Sequence, residues 1–148
     1  MAAGAALSVS GCVHSAVRPC PASPRAEAEI QRAVHTFYDA LRTDDADKFR
    51  KVTTERFYSF DGGDRFVGTE LVDLVRSARA KGLQFNWSVG QLDTQRQCNV
   101  AWTAWENVGS VGMPPDIKPV RWLESAVLVH RGGQWKIDFF HSQRASAK

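Results

Sequence analysis

Apolar residues recur at helical spacing in the first half of the chain and alternate at strand spacing in the second. Ile30, Val34, Phe37 and Leu41 stand at i, i+4, i+7 and i+11, the single buried stripe of an amphipathic helix. Ser23-Pro24 opens it as an N-cap followed by proline at the first helical position, where the missing N–H costs nothing. Thr43-Asp44-Asp45 breaks the pattern, and a second short helix carries Phe49 and Val52 on one face, capped by Asp44 or Asp45. Two aromatic-rich runs, at 57–60 and 65–67, flank Gly62-Gly63, which supplies the positive φ of a two-residue hairpin turn. Gly68-Thr69 opens a third helix with Leu71, Val72, Leu74, Val75 and Ala78 apolar, and Gly82 stops it.

Everything after Gly82 reads as strand. Leu83, Phe85, Trp87 and Val89 alternate with polar residues; three more runs follow at 100–108, 121–130 and 135–141. Pro114, Pro115 and Pro119 forbid a central strand over 109–119, which reads as a loop at a sheet end. Three helices with one inserted hairpin, then a four-strand meander, predict an α+β fold. A strongly curved antiparallel sheet wrapped around the three N-terminal helices makes a cone with a hollow on its concave side.

Composition narrows the function classes. A length of 148 residues fits one domain with one core, and 43% hydrophobic with 24% charged residues excludes global disorder and collagen-like repeats. A net charge of +3 with no basic run along the chain argues against a nucleic-acid partner. There is no Gly-rich phosphate loop, no His pair at i, i+4 and no Cys-x-x-Cys, so neither a metal nor a cofactor is expected. Cys12, Cys20 and Cys98 are an odd number far apart and do not make a disulfide framework; Cys98 reads as a packed thiol.

Residues 1–24 carry a single charge, Arg18, and differ from a domain at 25–144 with a short tail at 145–148. Within that first segment, Val9-Ser10-Gly11-Cys12 resembles a bacterial lipobox. Two readings stand side by side. In one, Cys12 carries lipid, residues 13–24 are a tether, and the domain sits in the bacterial cell envelope or periplasm. In the other, the segment is a disordered Ala/Ser tail on a cytoplasmic protein. Membrane contact is expected only through Cys12.

The last hairpin can be registered from its turn. With Gly132-Gly133 as a two-residue turn, Arg131 faces Gln134, Leu128 faces Ile137, Ala126 faces Phe139 and Glu124 faces His141. Residues two apart share a face, so one apolar face carries a single Glu124–His141 pair. That pair reads either as a general base (His141) oriented by a carboxylate, or as a cross-strand polar pair fixing register.

The element order, the run from Phe57 to Leu71, and the ending Gly133-x-Trp135-Lys136-Ile137 with His141-Ser142 together resemble the nuclear transport factor 2-like superfamily, over about residues 26–144. That superfamily includes ketosteroid isomerases, scytalone dehydratase and SnoaL-type polyketide cyclases, and the ending is similar to that of its uncharacterised bacterial members. The resemblance implies a cone fold, a sheet-on-sheet homodimer and a pocket. It also makes Asp61 a candidate general base near the first hairpin, against an ordinary turn role before Gly-Gly. By the most natural alignment Phe37 stands where ketosteroid isomerases carry an oxyanion-binding Tyr, with Tyr38 one residue out. An apolar residue near Val127 or Leu128 replaces their protonated Asp. Tyr38, Tyr58, Phe60, Trp87, Trp102, Trp122 and Phe139 are the ligand-lining candidates, with Phe66 and Trp105 beside them. Two functions follow: a domain binding a small hydrophobic ligand, or a cofactor-free isomerase, dehydratase or cyclase moving protons with His141 and Glu124.

Overall fold

The computed structural model describes Cys20 and residues 23–146. Helix α1 (Pro24–Thr43) starts where Ser23 Oγ accepts the Ala26 N–H at 3.2 Å, and it ends on Asp44, whose φ of 53° is left-handed. Asp45 caps α2 (Ala46–Val52), accepting the Lys48 N–H at 2.8 Å. Strands β1 (Thr53–Asp61) and β2 (Asp64–Val67) form the hairpin across Gly62-Gly63, and α3 (Glu70–Ala80) follows. Then come β3 (Gln84–Val89), β4 (Asp93–Gln97), β5 (Val100–Met113), β6 (Asp116–Arg131) and β7 (Gln134–Arg144).

The strands make one open sheet in the order β2-β1-β7-β6-β5-β3, with β4 also on β5. The α1 stripe (Ile30, Val34, Phe37, Leu41) and Leu71 and Val72 of α3 fill its hollow against Ala101, Trp105, Ala126, Leu128, Ile137 and Phe140. This is the α+β cone that the pattern predicts. Alternation decides the layers: along β5, Ala101, Thr103, Trp105 and Asn107 are buried while Trp102, Ala104, Glu106 and Val108 are exposed.

The sheet departs from the expected meander in four places. First, β1 pairs with β7 in parallel, so one pairing of the sheet is not antiparallel. Second, residues 109–119 are strand rather than loop. β5 and β6 run on as a hairpin that turns at Pro114-Pro115, and Pro119 lies opposite Ser110. Pro119 is tolerated because β7 pairs with β6 only from Trp122 onward, so β6 is an edge there. Gly109 and Gly112 permit the curvature: a Cβ would overlap the Asn86 carbonyl oxygen at the first and the Asp116 carbonyl oxygen at the second. Third, the polar run Asp93–Gln97 is a strand that offers no apolar alternation to read.

The fourth departure is covalent. Cys98 is not a packed thiol: it forms a disulfide with Cys20, 78 residues away, with Cα atoms 5.1 Å apart, inside the range a disulfide accepts. Cys98 sits with a φ of 51° in the tight turn between β4 and β5. Cys12 lies outside the described residues.

Candidate functional site

Three strands each present two side chains, two residues apart, to the hollow. These are Trp105 and Asn107 on β5, Trp122 and Glu124 on β6, and Phe140 and Ser142 on β7, and all six are buried. Tyr38 reaches them from α1 at 1% exposure. Asp61, at the end of β1 beside Ser142, closes the group.

The β7 contribution depends on a bulge. Pairing runs as expected from Arg131↔Gln134 to Leu128↔Ile137, then Val127 faces Phe139, Ala126 faces Phe140 and Glu124 faces Ser142. Asp138 is the extra residue, and its carboxylate accepts the Thr54 hydroxyl at 2.6 Å from the neighbouring strand. A one-residue slip exchanges the two faces of a strand. Phe140 and Ser142 therefore turn inward, Phe139 and His141 outward, and His141 stands opposite Ser125. The expected Glu124–His141 pairing is thus corrected, and among the described residues no hydrogen bond or ion pair joins the two. His141 instead borders the cavity near Asp61, on whose carboxyl its charge acts.

Glu124 has other partners. Its Oε2 accepts Trp105 Nε1–H at 2.7 Å and Asn107 Nδ2–H at 3.0 Å, and its Oε1 accepts the Ser142 hydroxyl at 3.1 Å. Burial pushes the Glu124 carboxyl above the ordinary carboxylate range, while Tyr38, Asn107, Ser142 and Trp105 pull the other way. The Tyr38 hydroxyl is held well above its ordinary range, by burial first and by the Glu124 charge second. Although it lies beside that carboxylate, the hydroxyl makes no hydrogen bond of good geometry, and neither do Asn107 Oδ1 and Ser59 Oγ. Asp61 is also pushed up by burial, against a hydrogen bond from the Gly62 backbone and the charges of Arg144 and His141.

These groups border a cavity of about 840 Å³, walled by Leu71, Val75, Phe85, Trp87, Trp122 and Phe140. Of the ligand-lining candidates, Tyr38, Phe60, Trp87 and Trp122 border it, together with Asp61, Glu124 and His141. Tyr58, Trp102 and Phe139 do not. Tyr58 and Phe139 pack against each other outside, with ring centroids 4.9 Å apart, and Trp102 is 50% exposed on the same convex face. Asn107, Phe140, Ser142 and Arg144 are the residues the sequence reading missed. A signal existed for Asn107: it is two residues beyond Trp105, whereas Trp102 is an odd three residues before it. Among the described residues no cluster of His, Cys, Asp and Glu could hold a metal.

An open sheet coiled around three helices, with polar groups deep in its hollow, is the α+β cone fold also seen in solved ketosteroid isomerase-like and cystatin-like proteins. Solved structures give the particular likenesses. A ketosteroid isomerase-like protein from Erwinia carotovora atroseptica matches with a TM-score of 0.67 at 15% identity, over 84% of this chain and 100% of its own. Hexachlorocyclohexane dehydrochlorinase LinA-type3 from Novosphingobium barchaimii matches with a TM-score of 0.71 at 12% identity, over 82% and 87%. The CaMKII hub of S. rosetta matches with a TM-score of 0.67 at 18% identity, over 85% and 100%. No protein-family profile and no curated protein matches the chain. At these identities the likeness establishes the fold alone.

Proposed function

We propose that the cone cavity binds a small, largely apolar molecule that carries one oxygen function. The carrying observation is the Tyr38 hydroxyl, buried beside the Glu124 carboxylate without a hydrogen bond of good geometry and bordering a cavity with apolar walls. Leaving such a hydroxyl unsatisfied costs about 1–3 kcal/mol, which a ligand carbonyl or hydroxyl recovers. A cavity of 840 Å³ falls in the range that takes small ligands, roughly 300–1,000 Å³. Native mass spectrometry of the purified chain, then titration with matched apolar molecules with and without a carbonyl, tests this. Tyr38→Phe lowers affinity on the order of tenfold for the carbonyl compound and leaves the hydrocarbon unaffected. Equal losses for both compounds overturn the reading.

The second reading is catalytic and rests on a different observation: Asp61 and Glu124 border one cavity, each held by burial toward its protonated form. Two carboxyls tuned upward are suited to moving a proton on a bound ligand without a cofactor. A dehydrochlorinase built on the same cone supports it. The proton-transfer pair is then Asp61 with Glu124 rather than His141 with Glu124. Deuterium exchange from solvent into the bound ligand, lost in Asp61→Asn, is the discriminating measurement; no exchange in the wild type leaves binding alone.

The chain is further proposed to act as a homodimer through the convex face. Trp102, Val127, Phe139 and Tyr58 lie in register across four neighbouring strands there, with Leu123 48% and Phe60 43% exposed beside them. A cell-envelope location is proposed with Cys12 as the lipid-bearing residue. The Cys20–Cys98 disulfide supports it, because such bonds persist in oxidising compartments.

A further inference from the structure

The cation-rich surface lies at the end of the sheet opposite the Asp61 side of the cavity. Three shallow hollows adjoin the Gly132-Gly133 turn between β6 and β7. They are bordered by Arg32, Lys51, Arg56, Arg131 and Lys136 and by two further arginines, against only Glu29 and Glu55. Among the described residues, none of those five forms a salt bridge. The linings of these hollows thus hold seven Lys and Arg against two Glu, of which Arg25 and Glu29 pair with each other, whereas the whole chain holds 19 Lys and Arg against 16 Asp and Glu. No basic run in the sequence announces it, because α1, α2, β1, β4, β6 and β7 each supply one or two of the residues.

The disulfide adds the second observation. It ties Cys20 to the β4–β5 turn, and that turn is joined to the same end by the His130 N–H donating to the Asn99 carbonyl at 2.7 Å. Residue 20 is therefore fixed beside the basic surface. Cys12 is eight residues earlier, within about 28 Å at full extension. The Asp61–Gly63 turn and Arg144 border the cavity at the other end of β7, whose 11 residues span about 33 Å.

We propose that this basic end docks on an anionic phospholipid surface, holding the cavity's Asp61 side away from the bilayer. Each exposed Lys or Arg near an anionic bilayer adds to the attraction, and several together hold a protein that one acyl chain holds only weakly. Nucleic acid is the competing polyanion, and the observations favour lipid: Cys20 is fixed at this end, eight residues from Cys12, disulfides persist in oxidising compartments, and Trp135 in the hollows is buried rather than offered for base stacking. The surface lies outside the cavity, so the inference stands apart from the ligand-binding reading.

The test uses the oxidised full chain without lipid, co-sedimented with phosphatidylcholine vesicles containing or lacking phosphatidylglycerol. Binding is expected only to the anionic vesicles and weakens with salt. The triple variant Arg56→Gln/Arg131→Gln/Lys136→Gln lowers the partition coefficient on the order of 100-fold, while Lys118→Gln, at the opposite end of β6, leaves it within twofold. Unchanged thermal unfolding of the triple variant shows that it is folded; if it is not, Arg131→Gln alone is read, with a loss on the order of fivefold. Wild-type binding to neutral vesicles, full binding by a folded variant, or displacement of vesicles by an oligonucleotide at equal phosphate concentration overturns the proposal.

Discussion

Replacing Glu124 by Gln separates what its shape does from what its charge does. Gln keeps one carbonyl oxygen for Trp105 Nε1–H and Asn107 Nδ2–H, and it turns its amide toward Ser142, whose hydroxyl can rotate to accept. The hydrogen-bond pattern therefore survives, and at low pH the variant stays within about 1 kcal/mol of the wild type. The pH dependence carries the information. Burial raises the folded-state pKa of Glu124, so the folded chain holds the proton after the unfolded chain has released it. Stability from this group is complete below the unfolded value of about 4.3 and is lost as pH rises through the folded value, at up to about 1.4 kcal/mol per pH unit. Glu124→Gln has no such loss. Thermal unfolding by circular dichroism, from pH 4 to pH 8 (roughly the range bracketing an unperturbed and a raised carboxyl), should show the variant gaining on the wild type as pH rises. Glu124→Leu is the contrast: it leaves three buried donors unpartnered and costs about 3–9 kcal/mol at low pH, a deficit that narrows as pH rises because the wild type alone loses stability. A wild type that gains on Glu124→Gln with rising pH would refute the argument, since the carboxylate would then be stabilised rather than strained by its site.

Other expectations follow from single features. Asp61→Asn should show the same sign of pH dependence, because burial raises that carboxyl too, and the same unfolding series reads it. Reducing the Cys20–Cys98 bond should cost no more than about 4.5 kcal/mol, the loop-closure value for a 78-residue separation, seen as a lower Tm with reductant; an unchanged Tm means the bond contributes nothing. Gly109→Ala should destabilise by at least about 3 kcal/mol, because the new methyl overlaps the backbone of β3 and neither strand can yield alone; urea denaturation measures it. Trp102→Glu should convert the proposed dimer to monomer in sedimentation velocity without changing ligand affinity, since Trp102 points away from the cavity.

How much could be read from residues alone depended on whether neighbouring positions differed in polarity. The α1 stripe, the Gly62-Gly63 and Gly132-Gly133 turns and the Pro24 start stand out because each contrasts with what surrounds it. The β7 bulge does not. Phe139 and Phe140 are adjacent and identical, so either one could have been the inward residue, and the sequence carries no mark at Asp138 beyond a side chain able to hold Thr54. That ambiguity moved the partner of Glu124 from His141 to Ser142. The disulfide and the basic surface were illegible for another reason: both join residues that only the folded chain brings together. Strand β4 lacks apolar alternation and is set by its pairing with β5.

The parallel pairing of β1 with β7 also governs the order in which the molecule can be made. Residues 53–61 emerge early, yet their partner on the inner side of the sheet is 134–144. Until residues 134–144 are available, the β1–β2 hairpin has only itself to pair with, and Asp61 has no Ser142 beside it. Strands β3 to β6 can assemble by local hairpin closures, but the wall that turns a curved sheet into a vessel is added at the end. Such long-range pairing slows folding, since a large loop must close before any contact rewards it. During synthesis the interior is therefore exposed until residues 134–144 have emerged, and the cavity is the final product of the sheet's assembly rather than its starting point.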